Sequence, residues 1–284
     1  MLTYLQALFM GAFQGLSELF PISSLGHSVI LPSFLGWNLN QKDNAFLLFL
    51  VSTHFATALV LFIFFWNDWQ RILKGLFRSF QKREIKESDT DAKLGWMLIV
   101  GTIPAGVLGL LFEDRLKTQL AYPKITAVIL ILNGLMLFAA ERLRKGKKET
   151  TAIHSDERIA HLSWTQTIKI GFLQAIALIP GFSRTGATIT GGLIVGLSHE
   201  DSARFSFLLA TPIIGAAAIL KLPELLQADQ RINIGPLLVG TITSGIVAYL
   251  TVRFLTRYFE KETLQPFAIY CIIAGTLASF VLWR

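Results

Sequence analysis

Phe20-Pro21-Ile22-Ser23-Ser24-Leu25-Gly26 interrupts an otherwise apolar stretch over 2–35, and Ile179-Pro180-Gly181-Phe182-Ser183-Arg184-Thr185-Gly186 does the same within 164–197. Proline removes a backbone donor and breaks a helix. Each piece on either side of a break is too short to cross a bilayer, which takes about 17–25 apolar residues. The reading is two helix-break-helix hairpins, re-entrant in a membrane. Freed backbone groups are tolerated at that depth only against protein or a wet cavity, so the breaks point to a site.

The rest of the chain supports a membrane setting. Of 284 residues, 52% are hydrophobic and 16% charged, and the mean hydropathy is +0.53. Soluble domains carry about 25% charged residues. Twenty-two phenylalanines exclude disorder, and the single cysteine, Cys271, excludes a disulfide framework. The five histidines fit no HExxH or finger spacing. Continuous apolar segments at 44–66, 94–112, 125–140, 203–226, 234–254 and 266–282 predict six transmembrane helices. The expected fold is an all-α polytopic membrane protein, one domain over 1–284.

The two breaks are related. A shift of 160 places Gly11, Gln14, Ser23 and Gly26 on Gly171, Gln174, Ser183 and Gly186. Val100-Gly101-Thr102-Ile103 recurs as Val239-Gly240-Thr241-Ile242. Repeat halves of 1–145 and 160–284 follow. Each half holds one hairpin and three spans, an odd number, so the halves run in opposite orientation as an inverted-topology repeat.

The net charge of +7 is unevenly placed. No Lys or Arg precedes Lys42, so the apolar N-terminus lacks the basic region of a secretory signal. Basic residues collect in connectors 67–93 and 141–169, which the positive-inside rule puts in the cytoplasm. Loop 113–124 and both termini then lie outside. Acidic neighbours such as Glu84, Glu87, Asp156 and Glu157 argue against a nucleic-acid stripe. Residues 67–80 read as an interfacial amphipathic helix, with Trp69, Ile72, Leu73, Leu76, Phe77 and Phe80 set against Arg71, Lys74 and Arg78.

Among the acidic residues, only Glu18 lies inside a membrane element away from its ends. Such a charge is costly and marks function. Gln14 lies one helical turn before it, and Ser23, Ser24 and His27 follow. The second break supplies Ser183, Arg184 and Thr188 at a helix start. Two helix N-termini, an arginine and several hydroxyls suit a phosphate or diphosphate. Glu18 can hold a divalent cation. Ser24 can attack phosphorus if His27 or Glu18 accepts its proton. Capping accounts equally well for some of the hydroxyls. His54, in mid-span, is of second rank, as are Gln14 and Gln174. His154, His161 and His199 read as loop residues.

Gln14-Gly15-Leu16-Ser17-Glu18-Leu19-Phe20-Pro21-Ile22-Ser23-Ser24-Leu25-Gly26-His27 resembles the (E/Q)xxxE-x-x-P-x-SSxGH signature of the bacterial undecaprenyl-diphosphate phosphatases of the bacitracin-resistance type. Pro180-Gly181-Phe182-Ser183-Arg184-Thr185-Gly186-Ala187-Thr188 resembles that family's PGxSRSGAT. The resemblance extends over essentially the whole chain. It implies hydrolysis of undecaprenyl diphosphate to undecaprenyl phosphate and inorganic phosphate, outside the bacterial cytoplasmic (inner) membrane. That reaction recycles the carrier for peptidoglycan synthesis and confers bacitracin resistance. It implies catalytic roles for Glu18, Ser24, His27 and Arg184. It implies diphosphate binding by Ser23, Ser183, Arg184 and Thr188, and a divalent metal at Glu18, magnesium with calcium as the alternative. Gln14 stands where many members carry Glu, and Thr185 where Ser is usual. A polyprenyl diphosphate, the bilayer and a second copy of the chain are the expected partners, without nucleic acid. The competing class is a secondary transporter or flippase of an anionic lipid, since inverted repeats with broken hairpins also build transporters.

Overall fold

The computed structural model describes residues 2–37, 39–40, 43–120, 122–144, 155–228 and 233–284. All regular elements among them are helical. Six helices are long and apolar enough to cross a membrane: α3 (Asn44–Phe64), α5 (Thr90–Leu120, apolar over Thr90–Phe112), α6 (Pro123–Leu143), α10 (His199–Ala228, apolar over His199–Lys221), α11 (Ile234–Tyr258) and α12 (Gln265–Leu282). They match the six expected segments; five extend beyond the expected bounds, while α3 stops two residues short, at Phe64. Helix α5 continues to Leu120, so most of the expected loop 113–124 is helical. Lys145, Lys147, Lys148 and His154 of the second basic connector lie outside the described residues.

Between the long helices sit short ones. Helices α1 (Tyr4–Ser17) and α2 (Ser24–Phe34) flank the first break. Helix α8 (Trp164–Ala175), a 3-10 turn (Ile176–Leu178) and α9 (Arg184–Val195) flank the second. At about 1.5 Å per residue none of these reaches the ~30 Å of a hydrocarbon core. Their starts are written locally. Thr3 and Gln6 form a capping box on α1, and Ser163 and Gln166 form one on α8. Ser23 caps α2 and Ser183 caps α9, each accepting from the amide three residues on, Gly26 and Gly186.

Packing runs crosswise between the two halves. Helix α1 lies on α11 so closely that a Cβ on Gly11 would sit 2.2 Å from the Gly240 carbonyl oxygen. Helix α8 lies on α5 in the same manner, with a Cβ on Gly171 reaching 2.5 Å from the Gly101 carbonyl oxygen. These four glycines are the pairs that the repeat aligns. Helices α6 and α12 pack together, Gly134 against Ala268 and Gly275 against Ala127. A core containing Leu19, Leu61, Phe65, Leu137, Phe205 and Phe207 fills the centre.

Helix α4 (Trp66–Lys82) covers the expected amphipathic stretch. Trp69 and Ile72 are buried, while Leu73, Phe77 and Phe80 are exposed. It is tied down by charge. Arg71 bonds Asp156 at 2.8 Å, and Arg204 of α10 bonds Asp156 at 2.7 Å and reaches Asp68 at 3.0 Å. Asp156 lies on α7 (Ser155–Ala160). Several cations of the basic connectors are thus ion-paired. His199, read from sequence as a loop residue, instead opens α10. It is buried, with Nε2 2.7 Å from Oε1 of Glu141, which lies in the last turn of α6.

Candidate active site

The two breaks meet. Glu18, the C-cap of α1, is 6% exposed and receives four side chains. Gln14, one turn earlier, donates from Nε2 to Oε2 at 3.0 Å. The Ser24 hydroxyl, at the first residue of α2, donates to the same oxygen. His54 of α3 brings Nε2 to 3.2 Å of it. Arg184, the first residue of α9, donates from Nη2 to Oε1. Residues 166 positions apart are therefore in direct contact. The Thr185 hydroxyl donates to the Glu18 main-chain oxygen at 2.9 Å, a second stitch between the breaks.

A third stitch runs through Asn133 of α6, which is fully buried. Its Nδ2 donates to the Pro21 carbonyl oxygen at 3.0 Å, and its Oδ1 accepts from the Ser183 main-chain N–H at 2.9 Å. A carbonyl only accepts and an amide N–H only donates, so this orientation of the amide is forced.

The other expected residues are placed as follows. Ser23 and Ser183 are buried caps, so each oxygen accepts an amide while its own proton remains to be donated. Thr188 donates to the Arg184 carbonyl oxygen at 2.8 Å, a bond inside α9. His27 is buried, but its ring nitrogens face the Ser23 carbonyl oxygen and the Tyr270 hydroxyl; Ser24 points to Glu18 instead. His54 Nδ1 faces the Leu50 carbonyl oxygen at 2.7 Å. Gln174 is 2% exposed, and among the described residues neither of its amide atoms has a hydrogen-bond partner. Gln14, 160 positions earlier, bonds Glu18, whereas 160 positions after Glu18 stands Leu178. The two breaks thus differ in polarity at this point.

Apart from the Ser24 hydroxyl, the groups facing the Glu18 carboxylate are nitrogens; the hard oxygens of the site are the carboxylate itself and Gln14 Oε1. Gln14 Oε1 is buried and has no partner among the described residues. A divalent cation held here would find the Glu18 carboxylate and Gln14 Oε1 as its oxygens; among the described residues no cluster of three or more His, Cys, Asp or Glu side chains could hold one.

Across residues 7–277 the sequence matches the profile of the family described as Bacitracin resistance protein BacA. The chain belongs to this family. Among BacA relatives, the undecaprenyl-diphosphatase of Mycolicibacterium paratuberculosis (strain ATCC BAA-968 / K-10) is 46% identical over 293 positions, covering 96% of this chain and 95% of that protein. The undecaprenyl-diphosphatase 2 of Chromobacterium violaceum is 44% identical over 277 positions, covering 96% of each. In this BacA chain, sequence reading passed over Asn133, Tyr270 and the bond from Thr185. Asn133 carried a signal, a lone amide in the middle of an apolar segment. Tyr270, one aromatic among many, carried none.

Proposed function

We propose that this chain is an integral membrane phosphatase that hydrolyses undecaprenyl diphosphate to undecaprenyl phosphate and inorganic phosphate. One observation carries the reading beyond the relatives' names. A serine hydroxyl at one helix start is hydrogen-bonded to a buried carboxylate, and that carboxylate faces an arginine at a second helix start.

The reaction follows from those positions. Ser24 passes its proton to Glu18 Oε2 as its oxygen attacks the terminal phosphorus. The bond from that phosphorus to the bridging oxygen breaks, and undecaprenyl phosphate leaves. Water then opens the phosphoserine and releases inorganic phosphate. Arg184 and the first-turn amides of α2 and α9 meet the charge on the equatorial oxygens, the main task in phosphoryl transfer. Ser23 and Ser183 have hydroxyl protons to give to phosphate oxygens. Glu18 and Gln14 Oε1 would hold a divalent cation, which supplies further positive charge when bound. Direct attack by water with His27 as base is the rival. Ser24 is preferred because its oxygen already bonds a proton acceptor, while both His27 nitrogens are engaged.

The two helix-break-helix segments are read as re-entrant hairpins of an inverted repeat. The crosswise glycine contacts, α1 on α11 and α8 on α5, support it. The positive-inside rule puts the basic connectors in the cytoplasm; a site that opens to the outer face of a bacterial inner membrane is what the family resemblance implies. The resemblance likewise implies recycling of the lipid carrier for peptidoglycan and bacitracin resistance.

The test is phosphate release from undecaprenyl diphosphate in detergent micelles, with and without a chelator. A phosphatase releases phosphate there, and a transporter without a gradient does not. Release that ceases in Arg184→Ala, with folding intact, is expected. No release by the wild type, or full release by Arg184→Ala, would overturn the reading. Rapid-quench capture of a phosphorylated Ser24 separates the serine route from the water route.

A further inference from the structure

His27 is buried on the first turn of α2, and its surroundings define its protonation pattern. Nδ1 lies 2.7 Å from the Ser23 main-chain oxygen, which can only accept, so Nδ1 carries the proton. In the neutral ring Nε2 is then a lone pair. The atom facing it, at 3.0 Å, is the Tyr270 hydroxyl, which donates. The Tyr270 ring also stacks on the imidazole, with centroids 5.7 Å apart and planes 21° apart, and Phe13 covers it from α1 at 5.0 Å. Both nitrogens are held and the ring is packed on two sides.

Tyr270 belongs to α12, 243 residues away from His27. Its neighbours Ile269 and Ile273 are exposed and apolar, as suits a lipid-facing helix. A tyrosine on such a face normally turns its hydroxyl to the interface. Here the hydroxyl turns inward to an imidazole.

What the imidazole holds is unusual too. Ser23 has φ 71°, a left-handed conformation that non-glycine residues rarely adopt, and its neighbour Ser24 supplies the hydroxyl bonded to Glu18. Strain of that kind persists only where surrounding contacts over-determine it. The His27–Ser23 carbonyl bond is one such contact, and the Ser23 oxygen–Gly26 amide bond is another.

We propose that Tyr270 is a positioning residue: through His27 it holds the Ser23 peptide left-handed and so aims the Ser24 hydroxyl at Glu18. The proposal rests on Ser24 being the nucleophile. It gives the second half of the chain, through α12, a part in presenting a group of the first half.

The test uses the full chain in detergent micelles. Tyr270→Phe keeps the ring and removes one hydroxyl. It should lower kcat about threefold to tenfold, the size of one lost hydrogen bond, with KM within about twofold and the unfolding midpoint lower by no more than about 4 °C. In a His27→Ala background the same change should cost nothing further, because its route is already cut. In chain labelled with 15N-histidine, the wild type should show an Nδ1-protonated ring whose Nε2 resonance moves in Tyr270→Phe. Wild-type kcat in Tyr270→Phe, losses that multiply with His27→Ala, or an unmoved Nε2 resonance would overturn the proposal. The 15N signal is read without substrate. A wild-type chain that released no phosphate would therefore sink the phosphatase reading, while the Tyr270–His27 bond was judged separately.

Discussion

Replacing Asn133 by leucine tests whether one amide holds the two breaks together. Leucine has nearly the same branched shape, so neither a cavity nor a clash is introduced. Three hydrogen bonds disappear: to the Pro21 carbonyl oxygen at 3.0 Å, to the Cys271 sulfur at 3.3 Å, and from the Ser183 amide at 2.9 Å; the weak sulfur contact is left out of the sum. The Ser183 N–H is left without that acceptor. Among the described residues the Pro21 oxygen then keeps only the Cys271 thiol, at 3.9 Å. A buried polar group stripped of its partner costs about 1–3 kcal/mol. Two such groups make about 2–6 kcal/mol, and removing an amide that itself needed partners brings the net to the lower end, about 2–3 kcal/mol. For a chain of this size each kcal/mol is worth roughly 2–4 °C, so the unfolding midpoint should fall by about 4–12 °C. Turnover should fall at least about tenfold, because Ser183 precedes Arg184 and small misplacements of such groups are costly. Near-UV circular dichroism in detergent measures the first quantity and phosphate release the second. An Asn133→Leu chain that melts within a degree of wild type and turns over normally would refute the tie.

Three further changes probe separate contacts. Glu18→Gln keeps partners for Gln14 and Ser24 but leaves the Arg184 cation buried without its counter-charge, a loss of about 3–5 kcal/mol, together with loss of turnover; a double variant with Arg184→Gln should recover stability but not activity, as thermal melts and phosphate release would show. Gly11→Ala drives a methyl into the Gly240 carbonyl, so α1 and α11 must separate at a cost of about 1–3 kcal/mol, visible as a lower midpoint; an unchanged melt would contradict the close approach. Asp89→Asn addresses pH. The Arg78 guanidinium, hydrogen-bonded through two nitrogens, holds the Asp89 carboxyl below the ordinary carboxylate range, helped by the Ala92 amide. The folded chain takes up that proton less readily than the unfolded chain. The stabilisation is therefore complete above the unfolded value of about 4 and lost as pH falls through the lower folded value. Asp89→Asn should melt slightly below wild type at pH 7, with the gap closing as pH drops below about 4; a gap that persists in acid would show the charge to be irrelevant.

Family membership and the six apolar helices were legible in the sequence because each rests on local properties. Bilayer thickness sets how long an apolar run must be, and Ser23 and Ser183 cap helices through bonds only three residues long. Gln14 and Glu18 share a helix face by spacing alone. The polar breaks stood out because an acidic residue or an arginine in apolar surroundings is costly.

Tertiary structure decided who meets whom. Nothing local says that Arg184 faces Glu18, that Asn133 of α6 spans both breaks, or that Ser24 turns to Glu18 and leaves His27 to Tyr270. Those bonds join residues 50 to 243 positions apart, apart from the choice made by Ser24. They depend on how closely the glycine faces of α1, α8 and α6 let neighbouring backbones approach. In a membrane that approach comes from van der Waals fit between helices, with no hydrophobic gain between helix and lipid to reveal it in composition. The loop assignment of His199 failed for the same reason: its buried partner, Glu141, belongs to another helix.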